Sequence, residues 1–214
     1  MRNRITLLAA LCLLLLASCS TTGFADLFSG SSQATNETLA AEYYDIATAY
    51  YDLKKYDKAI EYYEKTQELL PEENLTITYN LARIYALQNK WESAEEYYSR
   101  IFELDQNNIT IGMPYAYVLA KQGKAMEASA HYRGFYERNP VDKKLLANYI
   151  LVLLELDEDD EASDIFEELK ILDAESEEVR KVEDAFKKKA DRAAELAAAE
   201  AAAAEAEEES EETE

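Results

Sequence analysis

Apolar side chains between residues 40 and 174 recur mostly at intervals of three and four, the spacing that places them on one face of an α-helix. Ile46, Tyr50 and Leu53 form one such run. The 214 residues include only five glycines and three prolines, which argues against a fold of many short strands. With 48% apolar residues the chain can bury a core, and the pattern predicts that helices build it.

One arrangement of small and aromatic residues repeats along these helices. Four alanines are separated by 35, 34 and 34 residues: Ala59, Ala94, Ala128 and Ala162. An aromatic residue follows each of them four positions later: Tyr63, Tyr98, Tyr132 and Phe166. A second position lies twelve residues before each alanine: Ala47, Ala82, Ala116 and Ile150. Small residues at two crossing points let paired helices approach closely, and no single pair can bury its apolar face alone. The sequence therefore predicts four stacked helix pairs.

This pattern resembles the tetratricopeptide repeat (TPR), a helix–turn–helix unit. The first copy carries the family's signature positions most clearly: Tyr43, Ile46, Ala47, Tyr50, Tyr56, Ala59, Tyr63 and Pro71. The third copy departs from the pattern at Gly112, where a bulky residue is usual, and its Pro114 predicts a late helix start. The fourth copy has Asp157 where glycine is typical. The resemblance implies an all-α fold, a right-handed α-solenoid of about four TPR-like helix pairs.

The residues after the fourth copy predict a capping helix and then an acidic tail. Ser176 is placed to cap a helix whose apolar stripe is Val179, Val182 and Phe186, and that stripe can cover the open end of the array. We assign residues 36–196 to the repeat domain. Residues 197–214, which are rich in Ala and Glu, are predicted to be a solvated, frayed tail. That tail is either a solubilising brush or an arm that recruits a basic partner.

The N-terminal residues are typical of a secretory signal. Arg2 and Arg4 precede the apolar run 5–16, which is too short to span a bilayer. The sequence Leu16-Ala17-Ser18-Cys19 resembles the lipobox of bacterial lipoproteins. This resemblance implies that residues 1–18 are a removed signal peptide and that Cys19 carries the acyl chains that bind the membrane. Residues 19–35, rich in Ser, Thr, Gly and Ala, are then the lipidated Cys and a flexible tether.

Ser20, which follows the lipidated Cys, resembles the sorting pattern of outer-membrane lipoproteins in enteric bacteria. We therefore expect a lipid-anchored protein at the bacterial outer membrane that faces the periplasm.

Composition excludes several classes of function. Acidic residues outnumber basic residues by 44 to 22, and a surface with a net charge of −22 does not attract nucleic acid. The chain has two cysteines and one histidine, and we expect no metal and no cofactor. His131 lies inside a predicted helix, and no constellation of nucleophile and orienting group can be identified around it. We therefore expect a protein that is not an enzyme.

A binding function remains, because the first helices of TPR pairs line a concave groove that holds a peptide. The family positions that line the groove correspond here to Tyr44, Thr48, Tyr51, Asp52, Tyr79, Asn80, Arg83, Leu87, Met113, Tyr117, Lys121, Lys144, Ala147 and Leu151. The tyrosines either form an aromatic groove or pack between helices. Of the positions that clamp a C-terminal carboxylate in cytosolic co-chaperones, only Asn80 matches, so no such clamp is expected.

The predicted function is a scaffold or adaptor that binds an envelope protein or peptide through this groove. In this it resembles helical-repeat lipoproteins of outer-membrane protein assembly, pilus assembly and murein-hydrolase scaffolding. Two alternatives stay open: a ligand-binding or accessory lipoprotein of a periplasmic solute-uptake system, and a surface-exposed adhesin.

Overall fold

The computed structural model describes residues 22–211, and within them it places the side chains of residues 34–203. All regular secondary structure in this range is α-helical. In chain order the helices are α1 (Thr22–Asp52), α2 (Tyr56–Leu69), α3 (Leu75–Leu87), α4 (Trp91–Leu104), α5 (Ile109–Lys121), α6 (Ala125–Tyr136), α7 (Lys143–Glu155), α8 (Asp159–Asp173) and α9 (Glu177–Glu211). The chain divides into two compact units, Met1–Ile77 and Thr78–Glu214.

The first unit is built on the pairing of α1 with α2. Ala47 on α1 and Ala59 on α2 are fully buried, and the Tyr63 side chain is only 2% exposed. Because neither alanine extends beyond Cβ, the two helices approach closely and the ring of Tyr63 fills the space beside them. This is the packing that the spacing of small and aromatic residues predicts.

In the second unit each helix from α3 to α8 packs against the next helix along the chain. The residues at both predicted crossing points are fully buried: Ala82, Ala94, Ala116, Ala128, Ile150 and Ala162. The aromatic rings of Tyr98 and Tyr132 are buried beside them, and Phe166 is half-buried. The repeat that the sequence predicts is therefore the repeat that forms the core.

Helix α9 closes the second unit by packing against α7 and α8. Val179 and Val182 are buried, and the ring of Phe186 lies 5.5 Å from that of Phe166. The predicted capping helix is thus confirmed. Lys189 adds polar contacts between α9 and the end of α7. Its Nζ donates to the carbonyl of Leu154 at 2.9 Å and forms an ion pair with Asp157 at 2.8 Å.

The turn inside each helix pair contains one residue with a positive φ. In each pair this residue lies in the turn that follows the first helix: Lys54 (55°), Asn89 (57°), Gly123 (75°) and Asp157 (59°). Their spacing of 35, 34 and 34 residues matches that of the buried alanines. Glycine enters this region without steric cost and Asn and Asp enter it at a small cost, so Lys54 carries the largest strain of the four residues.

Two segments at the ends of the chain differ from their sequence-based predictions. Helix α1 begins at Thr22, so the described part of the expected flexible tether, residues 22–35, is helical. Once the packed part of a helix has formed, each further residue adds a hydrogen bond at little cost, which extends α1 toward its N-terminus. Likewise α9 continues to Glu211 through the predicted frayed tail, although every side chain in 191–203 is exposed. Cys19 and the signal peptide lie outside the described residues.

Two details of the repeats also differ. Ile46 and Leu53, predicted as packing residues, are 37% and 65% exposed, because α2 does not cover this face of α1 and no described helix pair precedes it. Helix α5 begins at Ile109 rather than near Pro114, which lies within the helix. The helix tolerates the proline at the loss of one backbone hydrogen bond, and its start is capped by Asn108, whose side chain accepts from the N–H of Thr110.

Candidate protein-binding surface

The predicted groove residues of the first unit lie at the C-terminal half of α1. The ring of Tyr44 meets the buried ring of Tyr63 edge-on at 5.6 Å. Thr48 Oγ1 donates to the Tyr44 carbonyl at 3.0 Å and lies 3.2 Å from the hydroxyl of Tyr63. Both side chains are half-buried, so they support the core ring as well as facing outward. Tyr51 is half-buried beside Tyr56, with ring centroids 6.1 Å apart, and Asp52 is exposed.

A cavity of about 370 Å³ opens beside Tyr44 in this unit. Its lining residues are Glu37, Ala40, Ala41, Tyr44, Asp45, Thr66, Leu70, Asn74, Thr76 and Ile77. Only Tyr44 among them was predicted as a site residue. The acidic residues Glu37 and Asp45 lie near the predicted positions on α1, and no motif distinguishes them from other exposed acidic residues.

In the second unit the predicted residues of α3 form a cation–π pair. The guanidinium of Arg83 lies 5.6 Å from the centroid of the Tyr79 ring, and that ring packs edge-on against buried Tyr98 at 6.0 Å. Asn80 is half-buried next to them. The ring of Tyr79 therefore packs against Tyr98 of the core and also contacts the guanidinium of Arg83.

The predicted residues of α5 divide between the core and the surface. Met113 is half-buried against the core, and its carbonyl accepts a 3.4 Å hydrogen bond from Tyr132. Tyr117 is 38% exposed. Its ring stands edge-on to Trp91 at 6.2 Å, while the Nζ of Lys121 lies 5.3 Å from its centroid. Tyr117 is thus an exposed aromatic ring held in place by its neighbours.

Tyr117 and Lys121 face α7 across a small cavity of about 90 Å³, named here the α5–α7 cavity. Its other lining residues are Ala120, Tyr132, Asn148, Leu151, Val152 and Glu155. The predicted residues Tyr117, Lys121 and Leu151 are therefore brought together. Lys144 does not line this cavity and is exposed at the start of α7, whereas Ala147 is buried.

A larger cavity of about 530 Å³ lies between α7 and α9, named here the α7–α9 cavity. It is lined by Leu151, Leu154, Glu155, Asp157, Ala185, Lys188, Lys189, Arg192, Ala193 and Leu196. Leu151 is the one groove position predicted from the sequence in this set. The basic residues that line this cavity could have been suspected from the run of Lys and Arg at 187–192, which is unusual in a strongly acidic chain.

Burial alters the pKa values of two groups beside this surface. Burial lowers the pKa of His131, which lies 5.1 Å from the ring of Phe102 and 5.4 Å from that of Tyr115. Burial likewise raises the pKa of Tyr132, so its hydroxyl stays neutral and serves as a hydrogen-bond donor.

Comparison with known proteins identifies the family. Tetratricopeptide repeat models match residues 37–107 and 116–177, which together are more than half of the chain. An uncharacterized lipoprotein of Treponema pallidum (strain Nichols) is 32% identical over 154 residues, which are 72% of this chain and 78% of the relative. The chain belongs to the TPR family, and the resemblance read from the sequence is confirmed.

Solved structures agree with this fold. YrrB, a TPR protein with an unusual peptide-binding site, is 18% identical with a TM-score of 0.62, over 76% of this chain and 89% of YrrB. Pseudomonas aeruginosa pilF is 21% identical with a TM-score of 0.55, over 67% of this chain and 65% of that one. A TPR protein of Parabacteroides merdae is 20% identical with a TM-score of 0.63, over 72% of this chain and 60% of its own length. The predicted fold class, an all-α array of TPR-like helix pairs, is confirmed.

Proposed function

We propose that this protein is a membrane-anchored adaptor that binds a partner protein through the first helices of its repeats. The observation that carries the proposal is Tyr117. Its exposed ring is held between Trp91 and Lys121 beside an open cavity, and such rigid aromatic rings lose little side-chain entropy when a partner covers them. The likeness to YrrB, a TPR protein with a peptide-binding site, supports a peptide or protein as the partner.

The proposed anchor is a set of acyl chains on Cys19. The lipobox-like sequence at 16–19 and the lipoprotein relative support it. Among residues 22–211 no helix is long and apolar enough to cross a membrane. Two or three acyl chains hold a protein stably at a bilayer, and they raise the effective concentration of the groove toward other envelope proteins. We place the protein at the bacterial outer membrane, facing the periplasm, and we assign it no catalytic activity.

Site-specific crosslinking in native envelopes tests the adaptor function. A photo-reactive residue is placed at Tyr51 or Tyr117, and a control at Met126, which is 78% exposed on α6, the second helix of its pair. We expect the two first-helix sites to capture the same envelope protein and the control to capture none of it. Absence of any captured protein, together with a small molecule that co-purifies with the folded chain, would instead favour the solute-uptake alternative.

The anchor is tested separately by fractionation. We expect the full chain to sediment with outer membranes and Cys19→Ala to appear in the soluble fraction. Protease added to intact cells distinguishes the orientation, because a periplasmic domain is protected and a surface-exposed adhesin is cleaved. Retention of Cys19→Ala in the membrane would refute the proposed anchor.

A further inference from the structure

The α5–α7 and α7–α9 cavities form one continuous surface of the second unit. Leu151 and Glu155 line both of them, so the surface runs from Tyr117 on α5, across α7, to α9. It extends the first-helix surface of the repeats onto the capping helix. A bound segment of a partner could therefore contact α5, α7 and α9 together.

The α7–α9 cavity has an apolar floor. Leu151, Leu154 and Leu196 line it together with Ala185 and Ala193. Leu196 is 58% exposed and lies in a stretch of α9 where its neighbours are alanine and glutamate. At about 530 Å³ the cavity lies within the range of sites that seat a ligand, so it can receive apolar side chains of a partner.

The edge of this cavity carries two cations that have no ion pair among the described residues. Lys188 and Arg192 are exposed and lie one helical turn apart on α9; neither takes part in an ion pair found among the described residues, although acidic residues such as Asp191 flank them in sequence. Lys189 between them is different, since it pairs with Asp157 and Asp159. In a chain with twice as many acidic as basic residues, Lys188 and Arg192 remain available for an external anion.

The neighbouring polar groups extend this positive character toward α5. Lys121 lies over the ring of Tyr117, and Lys181 of α9 donates to the Oδ1 of Asn148 at 3.2 Å. Two acidic residues also line the surface. Asp157 is paired with Lys189, which leaves Glu155 as the lining carboxylate without a described cation partner. This surface therefore carries three cations without a described ion pair, against one such carboxylate, Glu155: the cations are Lys121, Lys188 and Arg192.

We propose that the partner segment bound on this surface is an acidic peptide with apolar anchors. Its Leu- or Phe-type side chains occupy the α7–α9 cavity, and its carboxylates bind Lys188 and Arg192. The inference rests on the proposed adaptor function and adds the chemical class of the partner. The basis is charge complementarity, because the overall acidic excess of the chain disfavours such a peptide, whereas the cations that line this surface attract it.

A binding titration with defined peptides tests the proposal. The probe is a short fluorescein-labelled peptide in which Leu and Phe alternate with Asp and Glu, added to the purified full chain in non-ionic detergent. Two comparison peptides replace either the apolar residues by Ser or the acidic residues by Lys. We expect saturable binding of the first peptide only, and affinity that falls as salt is raised.

Variants of α9 locate the site. We expect Lys188→Glu with Arg192→Glu to weaken binding at least about tenfold, because charge-assisted contacts are replaced by repulsion. The neutral pair Lys188→Gln and Arg192→Gln should give a smaller loss, and circular dichroism checks that each variant is folded. The matched control is Lys187→Glu, an exposed residue of the same helix that does not line the cavity. It should change the affinity by no more than about twofold at physiological salt.

Three results of the peptide titrations would overturn the proposal: equal weakening by Lys187→Glu, equal binding of the Ser-substituted peptide, or no binding of the acidic–apolar peptide. Phosphatidylglycerol vesicles are tested in parallel. If they bind the full chain and the Lys188→Glu/Arg192→Glu variant does not, the surface is a membrane contact instead. Continued crosslinking at Tyr117 in any of these cases would preserve the adaptor function while removing the acidic partner.

Discussion

Gly112 is the position where the packing predicts the clearest response to a small change. A Cβ atom added there would lie 2.1 Å from Cζ and 2.7 Å from Cε2 of Phe135, and 3.0 Å from Cε2 of Phe102. Phe135 is 2% exposed, so its ring has no open space to enter. We expect Gly112→Ala to destabilise the second unit even though alanine is the better helix former.

The magnitude follows from two opposing effects. Replacing a helical glycine by alanine stabilises by about 0.5–1 kcal/mol. Carbon atoms in good contact are at least about 3.5 Å apart, so the Phe135 ring would have to move by roughly 1.4 Å. Overpacking of this kind costs about 1–3 kcal/mol in a close-packed core. The net expectation is a loss of about 1 kcal/mol from the middle of the two ranges, and of at most about 2.5 kcal/mol.

Gly134 supplies the matched control, because it also lies in a helix and an added Cβ would meet nothing within 4 Å. Urea unfolding, followed by far-UV circular dichroism and the fluorescence of Trp91, measures both variants. Gly134→Ala should raise the unfolding midpoint and Gly112→Ala should lower it. Phe135→Leu shortens the obstructing ring, so the double variant with Gly112→Ala should show a favourable coupling of about 1 kcal/mol. Stabilisation by Gly112→Ala, or strictly additive effects with Phe135→Leu, would refute this reasoning.

Three further predictions concern the turns and the capping helix. Lys54→Gly should stabilise the first unit by about 0.5–1 kcal/mol in urea unfolding, because it relieves a positive φ, and a loss of stability would contradict this. Ser176→Ala should lower the free energy of unfolding by about 1 kcal/mol and speed amide exchange in the first turn of α9, because Ser176 Oγ accepts from the N–H of Val179 at 3.3 Å. Unchanged amide exchange would exclude a capping role for Ser176. Lys189→Met should return the pKa of Asp157 toward its ordinary 3.8, because the hydrogen bond and then the charge of Lys189 lower it, and NMR titration measures the change. A lowered pKa stabilises the fold above the ordinary value of 3.8, and this contribution is lost as pH falls below it, so the stability of the variant should depend less on pH below about 4.

The sequence predicted the core of this protein because the repeat imposes the same packing at each copy. Ala94 and Ala128 are buried for the same geometric reason as Ala59, so one period applied along the chain identifies all of them. The exposure of Ile46 could not be read in this way. Its local sequence matches that of an interior repeat, and only the absence of a covering helix among the described residues leaves it exposed.

The departures from the repeat had causes that depend on distant residues. Gly112 departs from the family pattern, and the structure explains this through Phe102 and Phe135, which come from α4 and α6 and occupy its side-chain space. Pro114 lies within α5 for a related reason, since the helix start is fixed by the Asn108 cap and by burial of Gly112 rather than by the proline itself. Neither contact follows from the spacing of residues within one copy.

The candidate surface was harder to predict than the core, and the reason is physical. The family pattern placed Tyr117 and Lys121 on a common face, and the structure brings both of them to one cavity with Leu151. The family pattern did not include α9, because a capping helix has no fixed position in the repeat. The Lys and Arg residues of α9 also resemble those of an ordinary solvated helix face.

The balance of charge explains why α9 can nevertheless decide the choice of partner. Each repeat buries the same alanines and aromatics, so the buried residues cannot distinguish one partner from another. The exposed residues of the first helices and of α9 differ between copies, and among the residues that line the α7–α9 cavity three are basic and two are acidic. A partner that is repelled by most of the chain and held at one end would bind in a single register. The capping helix, which closes the fold, would then also belong to the site that selects what the fold binds.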